Sequence, residues 1–442
     1  MTGDRLDLQG IRRAPKISCL SCGGWTLVIK AVRGFKDILP SEIEKWQFVE
    51  KTAREVYESF GFSEIKIPIL EKTELFARSI GEATDIVEKE MYTFMDRSGD
   101  SLTLRPEATA SMARAYLEHH LYTRDPVAKL YFIGPMFRHE RPQKGRYRQF
   151  YQIDVEIFGA AHPMADSEVM VMLMEFFNRV GLKDVELQIN TLGCEDCRPR
   201  YRKELTQFLS ENVPKLCADC KRRLETNPLR ILDCKVETCQ EVIAGAPLVI
   251  DFICTQCAKH FEKVREYLEI LNTPFVLNSR MVRGLDYYTR TVFEAVDPKL
   301  GEQKAVTAGG RYDHLMRDIG GPDIPGIGFA MGIERIVLLV QRGKETTRFP
   351  DLFIAALGEN AQVKAFELAN QLHLEGIRAE IEYEGRSLKA QMRRADKLNS
   401  RYVLILGEEE LKSGRAILRD MDEKVQEEMS LGEVVDEIKR RA

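Results

Sequence analysis

Residues 134–159 read GPMFRHERPQKGRYRQFYQIDVEIFG, and this stretch decides the fold of the region around it. The apolar run KLYFIGPMF leads into the turn-forming residues PQKG, after which RQFYQIDVEIFG alternates between apolar and polar side chains. That pattern predicts two antiparallel strands joined by a turn. Neighbouring residues of a strand face opposite ways, so Gln152, Asp154 and Glu156 share one face, while the apolar residues between them face a core.

Basic side chains are concentrated around the turn of this hairpin. They are Arg138, His139, Arg141, Lys144, Arg146 and Arg148. The period of two also places Arg138 and Glu140 on one face of the first strand. If the polar faces of both strands coincide, the hairpin forms a polar platform that suits a phosphate or a nucleic acid. The alternative is a face open to solvent, which is common in antiparallel sheets, and spacing alone leaves both interpretations open.

The chain has 442 residues, enough for two or three domains, and its charges are nearly balanced. It contains 65 Lys and Arg against 69 Asp and Glu, a formal net charge of -4. The protein is therefore not a general polycation, and nucleic-acid binding would need local basic patches. Apolar runs such as VMVMLM at 169–174 are too short to cross a bilayer.

The first 30 residues differ in character from the rest. They carry charges throughout, including Asp4 and Asp7, and they lack the apolar core of a signal peptide. We expect residues 1–30 to be a disordered extension, or an upstream start that the working protein does not need. Cys19 and Cys22 form an isolated CxxC there, which is weak evidence for a metal.

Helix and strand periods organise the remainder. The stretch after Pro40 and residues 163–180 have apolar side chains at helical spacing, and strand patterns return at 275–296. Residues 345–350 have the composition of a linker. Beyond them, strands such as DLFIAAL alternate with helical segments, which predicts a small α/β domain with a largely parallel sheet over 350–442.

Cysteines cluster in one charged, helical segment. Eight of the ten form four pairs: Cys194 and Cys197, Cys217 and Cys220, Cys234 and Cys239, and Cys254 and Cys257. The first two pairs have the spacing C-x2-C-x19-C-x2-C, within the range of a four-cysteine zinc site. We therefore expect the first two pairs to hold one structural Zn²⁺, and the last two pairs allow a second. The alternative is a set of reduced, partly buried thiols.

Glycines mark a further candidate site in IPGIGFAMGIERIVLLV, residues 324–340. Gly326, Gly328 and Gly332 do not fit G-x-G-x-x-G, because the last spacing is one residue too long, and a nicotinamide enzyme is not favoured. The glycines allow close backbone approach at the start of a helix. Arg335, in the first turn of that helix, could grip a polyanion, and a surface salt bridge is the alternative.

Several of these stretches resemble the class II aminoacyl-tRNA synthetases, and specifically the histidyl-tRNA synthetases. MFRHE with GRYRQFYQIDVEIFG resembles motif 2 of the class, and GFAMGIERIVLLV resembles motif 3. The helix after Pro40 and the strand up to Pro68 resemble motif 1, the dimer-forming element. Four further stretches are similar to the histidyl family: RGFKDILP at 33–40, LRPEATA at 104–110, RGLDYYTRTVFEA at 283–295 and AGGRYDHL at 308–315.

The likeness runs from about residue 31 to the C-terminus and implies a fold. It implies an α+β catalytic domain built on an antiparallel sheet over residues 31–345, with a helical, Cys-rich insertion at 193–270. It also implies that the α/β domain at 350–442 is an anticodon-binding-like domain. The family further implies a cytoplasmic homodimer without a membrane segment.

The implied activity is the ATP-dependent ligation of L-histidine to its tRNA through a histidyl-adenylate, with Mg²⁺ and release of AMP and diphosphate. Charge builds on the phosphoryl oxygens during activation, so fixed cations are needed. By the resemblance, Arg138 holds the α-phosphate and Arg283 adds a second cation there. Arg335 holds the far end of ATP, and Glu140 orients adenine or a neighbouring arginine.

The resemblance also implies a histidine pocket. Its members are Glu107, Ala108, Thr109, Arg138, Gln152, Glu156, Arg283, Tyr287, Tyr288 and Tyr312. Carboxylates, an amide and phenols suit an imidazole, which offers one donor and one acceptor when neutral. Arg311 is a weaker match to the family. Ala108 stands where the family usually has glycine, and Asp154 stands where it often has a small residue, so both could reshape the pocket.

Two basic regions are expected to meet tRNA. Arg141, Lys144 and Arg146 in the hairpin loop would approach the acceptor end. Arg393 and Lys397 lie at helical spacing in the C-terminal domain, although such a stripe is more commonly a solvated face.

Two rival interpretations remain at this stage. One is the histidine-sensing regulatory subunit of ATP phosphoribosyltransferase, a relative that usually lacks the C-terminal domain and has degraded ATP-binding motifs. The other is a module that only binds tRNA, which would leave the polar hairpin unexplained.

Overall fold

The computed structural model describes residues 29–81, 84, 86–143, 145–283, 285, 287–301, 305–341 and 349–441. The expected N-terminal extension, with Cys19 and Cys22, lies outside these residues except for its last two positions. Most of the expected linker at 345–350 also lies outside them. The chain divides into two compact units, one containing Lys45–Val340 and the other containing Gln341–Ala442.

An eight-stranded sheet forms the centre of the first unit. Its strands are β1 (Ser63–Glu64), β5 (Ala128–Phe137), β6 (Gln149–Phe158), β7 (Glu186–Thr191), β8 (Val276–Leu277), β9 (Thr289–Val296), β10 (Ala305–Arg311) and β11 (Gly326–Gly332). Their order is β1-β5-β6-β11-β10-β9-β7-β8. Pairing is antiparallel from β5 to β7 and parallel only at the two edges, β1 with β5 and β7 with β8. The expected antiparallel sheet is confirmed.

A smaller antiparallel sheet also belongs to this unit. It contains β2 (Leu70–Lys72), β3 (Tyr92–Met95) and β4 (Ser101–Leu104), in the order β2-β4-β3. The expected strand leading to Pro68 is reduced to the two residues of β1, and proline has no amide hydrogen with which to continue a ladder.

The predicted hairpin is the pair β5 and β6, in register from Ala128 opposite Phe158 to Phe137 opposite Gln149. One prediction about it is wrong: β5 ends at Phe137, so Arg138 and Glu140 lie beyond the strand and not on its face. The cause is a change of partner. The His139 amide donates to the carbonyl of Glu90 at 2.7 Å, away from β6, and the ladder stops.

Helices cover the sheet and build the insertion. They are α1 (Pro40–Ser59), α2 (Thr73–Ile80), α3 (Thr109–Glu118), α4 (Pro163–Arg179), α5 (Cys197–Glu211), α6 (Ala218–Thr226), α7 (Glu237–Ala244), α8 (Thr255–Ile270), α9 (Leu315–Asp318) and α10 (Ile333–Leu339). The helices predicted after Pro40 and at 163–180 are confirmed as α1 and α4. Among the described residues, none of the helices combines the length and apolar character needed to span a membrane.

Apolar side chains are buried on both faces of the large sheet, and one of these cores lies between the sheet and helices α1 and α4. Tyr57 of α1 packs against Tyr131 of β5, with ring centroids 5.5 Å apart, and against Phe176 of α4 at 6.1 Å. Ile153 and Val155 of β6 are fully buried on this face, as their alternation predicted. The opposite face of β6 carries Gln152, Asp154 and Glu156, and this is where the candidate site is built.

The second unit has a five-stranded sheet of its own. Its elements are β12 (Leu352–Ala356), α11 (Glu359–Leu374), β13 (Ala379–Ile381), α12 (Leu388–Lys397), β14 (Tyr402–Leu406), α13 (Glu408–Ser413), β15 (Arg415–Asp420), β16 (Gln426–Ser430) and α14 (Val434–Arg441). The expected α/β domain is confirmed. Only β13, β12 and β14 pair in parallel, however, because β15 and β16 follow short connections that allow antiparallel pairing.

Candidate active site

Glu156 of β6 is the centre of a buried polar cluster. Its side chain is 1% exposed. One carboxylate oxygen accepts a hydrogen bond from the hydroxyl of Thr109 at 2.6 Å, and the other accepts one from the phenol of Tyr312. Burial raises the pKa of Glu156 to about 8, with the nearby carboxyl of Glu107 acting in the same direction. A pKa at about 8 favours the protonated carboxyl at neutral pH.

Two glycines of β11 make room for this cluster. A Cβ on Gly328 would lie 1.7 Å from a carboxylate oxygen of Glu156, and a Cβ on Gly326 would lie 2.2 Å from the ring of Tyr312. Sequence reasoning assigned these glycines to the start of a helix and missed their role in the pocket. The available signal was their spacing of two, which puts both on one face of a strand.

Three tyrosines form an aromatic wall beside Glu156. The rings of Tyr287 and Tyr288 are 4.8 Å apart, and those of Tyr287 and Tyr312 are 5.5 Å apart. Burial raises the pKa of Tyr288 to about 12 and raises that of the other two phenols well above their ordinary value. All three hydroxyls therefore remain protonated and can donate a hydrogen bond.

Glu107 reaches the pocket from the start of α3 and already has partners. Its two oxygens accept the amides of Thr109 and Ala110, both at 2.9 Å, so it satisfies donors that the helix leaves open. Burial raises its pKa. Ala108, one of the departures from the family, is fully buried among apolar neighbours at the same turn.

Gln152 and Asp154 lie on the same face of β6 as Glu156. The side-chain oxygen of Gln152 and both carboxylate oxygens of Asp154 have no hydrogen-bond partner among the described residues. Asp154 is completely buried, and burial, followed by the proximity of Glu156 and Glu107, raises its pKa well above the ordinary range. Burial therefore favours the protonated form of Asp154 over its carboxylate.

Arginines from the end of β5 and the hairpin loop lie next to this pocket. Arg138 donates from Nε to the carbonyl of Pro106 at 2.8 Å, and its guanidinium is 3.9 Å from Glu140. Glu140 also contacts Arg146 at 3.1 Å. Glu140 therefore contacts two arginines, and its role toward a nucleotide stays a prediction.

Two further arginines lie near Arg138 and Arg146, and we call these four residues the arginine rim. Arg283 forms an ion pair with Glu294 of β9, and its guanidinium carbon is 5.8 Å from the ring of Tyr288. Arg335 of α10 donates to the carbonyl of Ala305. Burial and the neighbouring Arg146 lower the pKa of Arg335, while Glu140 and Glu294 oppose that shift. Sequence reasoning missed Glu294, since an isolated acid in a strand carries no signal of an ion-pair partner.

The remaining predicted residues are distributed as follows. Arg141 and Arg146 are exposed in the hairpin loop, and Lys144 lies outside the described residues. Arg393 and Lys397 are exposed on α12 of the second unit. Arg311 is fully buried and binds Asp166 at 3.0 Å and Asp313 at 3.1 Å, so its guanidinium has structural partners.

The predicted grouping of cysteines is wrong. Cys194, Cys197, Cys217 and Cys220 do not converge; the first pair joins Cys254 and Cys257, and the second joins Cys234 and Cys239. Each group brings four sulfur atoms within 4.8 Å of one another and could hold a metal ion. The spacing argument failed because α5 begins at Cys197 and carries the chain about 22 Å, at 1.5 Å per residue, before Cys217 is reached.

Family comparisons match both units. The family model described as histidyl-tRNA synthetase matches residues 34–336, and the anticodon binding domain matches residues 351–441. The chain is 58% identical over 403 residues to a histidine–tRNA ligase of Syntrophotalea carbinolica, covering 91% of this chain and 96% of that one. It is 57% identical over 404 residues to a histidine–tRNA ligase of Geobacter metallireducens, covering 91% and 98%.

Solved structures agree with these matches. An apo histidyl-tRNA synthetase of S. aureus superposes with a TM-score of 0.77 at 35% identity, covering 93% of this chain and 100% of that chain. A Bacillus halodurans C structure titled ATP phosphoribosyltransferase regulatory subunit/histidyl-tRNA synthetase superposes with a TM-score of 0.61 at 21% identity, covering 87% and 99%. The latter likeness concerns the fold alone.

Proposed function

The chain belongs to the histidyl-tRNA synthetase family, and on that basis we propose which of its residues take part in each step of the reaction. The enzyme is a histidine–tRNA ligase: it joins L-histidine to its tRNA at the expense of ATP. The observation that carries the assignment of roles is the buried Glu156, which two hydroxyls hold in place beside a rim of arginines.

We assign histidine recognition to the buried cluster. Glu156 and the hydroxyls around it offer the acceptor and donors that an imidazole needs. An apolar side chain of similar size would leave these groups unpaired, and such sites reject analogues strongly. Gln152, whose side-chain oxygen has no protein partner among the described residues, is available to the amino group of the substrate.

We assign amino-acid activation to the arginine rim. The carboxylate of histidine attacks the α-phosphorus of ATP, a new P–O bond forms, and the bond to diphosphate breaks. Negative charge accumulates on the phosphoryl oxygens, and cations fixed beforehand stabilise it without reorganising. Arg283, held by Glu294, and Arg138, held by Pro106 and Glu140, would supply such charges, and we assign Arg335 to the outer phosphates.

Mg²⁺ is expected to bind mainly through the phosphates. It prefers oxygen ligands and usually takes only one or two from the protein. Among the described residues, the groups that bring three or more potential metal ligands together are the two cysteine clusters, which suit a different ion. Any zinc held there would be structural, because four thiolates leave no vacant position for chemistry.

In the second step, the terminal ribose hydroxyl of the tRNA attacks the carbonyl carbon of the histidyl-adenylate, and AMP leaves. We propose that Arg141 and Arg146, with Lys144, contact the acceptor end. We propose further that the second unit, residues 350–442, contacts the anticodon region through Arg393 and Lys397, that 31–345 forms the catalytic domain, and that the enzyme acts in the cytoplasm.

A homodimer is proposed from the resemblance of α1 and its following strand to motif 1. The small sheet in the same region exposes apolar side chains that a second copy could cover, namely Leu70, Phe94 and Met95. Light scattering of the full-length protein tests this, and a monomer at assay concentration would contradict it.

The deciding experiment is histidine-dependent exchange of diphosphate into ATP, measured together with charging of the histidine tRNA. A ligase performs both reactions. A histidine-sensing regulatory protein would bind histidine but catalyse neither reaction. A module that only binds tRNA would also catalyse neither reaction, and its tRNA binding would not depend on histidine.

A further inference from the structure

We propose that the cysteine-rich insertion contains two tetrathiolate zinc sites with nested ligand sets. The outer site takes its ligands from the two ends of the segment, and the inner site takes them from its interior. The outer ligands are Cys194, Cys197, Cys254 and Cys257; the inner ligands are Cys217, Cys220, Cys234 and Cys239.

The sulfur positions match the coordination geometry of zinc. Four thiolates about 2.3 Å from a tetrahedral Zn²⁺ lie about 3.8 Å from one another. In the outer group the sulfur of Cys194 is 3.6 Å from that of Cys197 and 3.9 Å from that of Cys254, and Cys197 is 4.0 Å from Cys257. In the inner group Cys217 and Cys234 are 3.9 Å apart. These are edges of a tetrahedron, whereas a disulfide needs about 2.05 Å.

The backbone around both groups is arranged for thiolates. The amide of Cys254 donates to the sulfur of Cys197 at 3.1 Å, and the amide of Cys217 donates to the sulfur of Cys239 at 3.2 Å. Such donors stabilise the charge on sulfur and orient metal ligands. These two donors reach their sulfur atoms across 57 and 22 residues of sequence respectively.

A tight turn shapes the outer site. Gly193 has φ +69°, and a Cβ there would lie 2.5 Å from the Cβ of Cys197 and 3.1 Å from its sulfur. Only glycine fits this approach without strain. The turn brings Cys194 and Cys197 to the same side as the start of α8, where Cys254 and Cys257 lie.

The two sites connect different parts of the structure. The outer site links the chain leaving β7 to the start of α8, so it closes the base of the insertion on the large sheet. The inner site links α6 to α7 inside a small core that contains Leu205, Ile231 and Val242. Tetrahedral sulfur coordination suits zinc, and iron is the alternative that an elemental measurement separates.

The test is elemental analysis of full-length protein purified from zinc-supplemented medium. We expect two zinc atoms per chain in the wild type. Cys254→Ser and Cys234→Ser, which each remove one ligand from one site, should each retain one zinc, and the double variant should retain none. The matched control is Cys19→Ser with Cys22→Ser, which should retain two.

A second pair of variants distinguishes loss of a metal ligand from misfolding of the insertion. Cys254→His and Cys234→His preserve a zinc ligand, and each should restore the metal that the serine variant loses. Protein grown with cobalt should show the visible bands of tetrahedral cobalt–thiolate, at half intensity in each serine variant. About one zinc per chain or fewer in the wild type, iron in its place, loss of both metals in either single variant, or disulfides detected by mass spectrometry would each overturn the proposal.

Discussion

Glu156→Gln removes the titratable carboxyl at the centre of the pocket, and with it the charge that the carboxyl takes when it passes its proton to a bound imidazole, while keeping its size and one acceptor oxygen. The structure gives Glu156 two hydroxyl donors, and a histidine imidazole would bring a third donor. A hydrogen bond to a charged group contributes about 1.5–3 kcal/mol. At 1.4 kcal/mol per factor of ten, the KM for histidine should rise by roughly 10- to 150-fold, with little change in the KM for ATP.

The pH dependence should change as well, and its direction follows from the pKa of Glu156. With that pKa at about 8, the bound wild-type complex holds one proton between the carboxyl and the imidazole. Free histidine loses its ring proton near 6.5, so wild-type affinity should be highest between about pH 6.5 and 8 and should fall above that window. The variant binds only the neutral imidazole, and its affinity should rise through about 6.5 and then level off.

The assay is diphosphate exchange with histidine varied at each pH from 6 to 9. Asp154→Asn is the matched control: it lies on the same face two residues away, its carboxylate oxygens have no hydrogen-bond partner among the described residues, and burial raises its pKa. Its KM for histidine should stay within about twofold of the wild type. Equal increases in both KM values for Glu156→Gln, or a variant that still weakens above pH 8 as the wild type does, would refute the assigned role.

Further predictions concern catalysis, tRNA and stability. Arg283→Ala should slow diphosphate exchange by about 10²–10³-fold, since one preorganised charge contributes ~3–4 kcal/mol, and near-normal exchange would remove it from the mechanism. Deletion of residues 349–441 should spare exchange and abolish tRNA charging; a truncated protein that loses both would show that this unit supports the catalytic one. Charge reversal at Arg393 and Lys397 should weaken tRNA binding and reduce its salt slope by about one per lost phosphate contact, and an unchanged slope would make them a solvated face. The pKa of Glu156 is raised from 4.5 to about 8, so between these pH values the folded protein holds a proton that the unfolded chain releases, and the stability of the folded protein falls as pH rises. Glu156→Gln lacks this proton, so its melting temperature should rise relative to that of the wild type over the same pH range. Melting temperatures of the two proteins that change in parallel with pH would contradict this.

Periodic patterns in the sequence predicted the helices and strands correctly where burial depends on nearby residues. They failed where a residue distant in sequence forms a contact that ends or redirects an element. The hairpin and α4 followed from periodicity, because their burial is decided by neighbours in sequence. The end of β5 did not, since the amide of His139 is taken by Glu90 from another part of the chain. The parallel sheet of the second unit was likewise only half predicted, because alternating elements do not reveal that β15 and β16 turn back on themselves.

The pocket needed more than periodicity. Thr109, Glu156 and Tyr312 meet from three separate elements, and only the resemblance to a family placed them together before the structure did. The ion pair of Arg283 with Glu294 and the room provided by Gly328 depend on strand order, which the sequence does not state. Both follow from the pairing of β9, β10, β11 and β6 in one sheet.

Because the ligand sets are nested in the sequence, the cysteines of the two proposed sites become available in a fixed order while the chain is synthesised. As the segment emerges from the ribosome, Cys194, Cys197, Cys217 and Cys220 are available before the four cysteines that complete the two sets, and together they could capture a metal in the wrong combination. Helix α5 stands between the two pairs, and a 15-residue helix forms far faster than residues are added. Once formed, it holds the pairs apart until the inner set is complete, and the outer set can close only when Cys257 has appeared. If the two sites bind zinc as proposed, helix-breaking substitutions in α5 are expected to increase capture of the metal by the mismatched set, although they change none of the ligands.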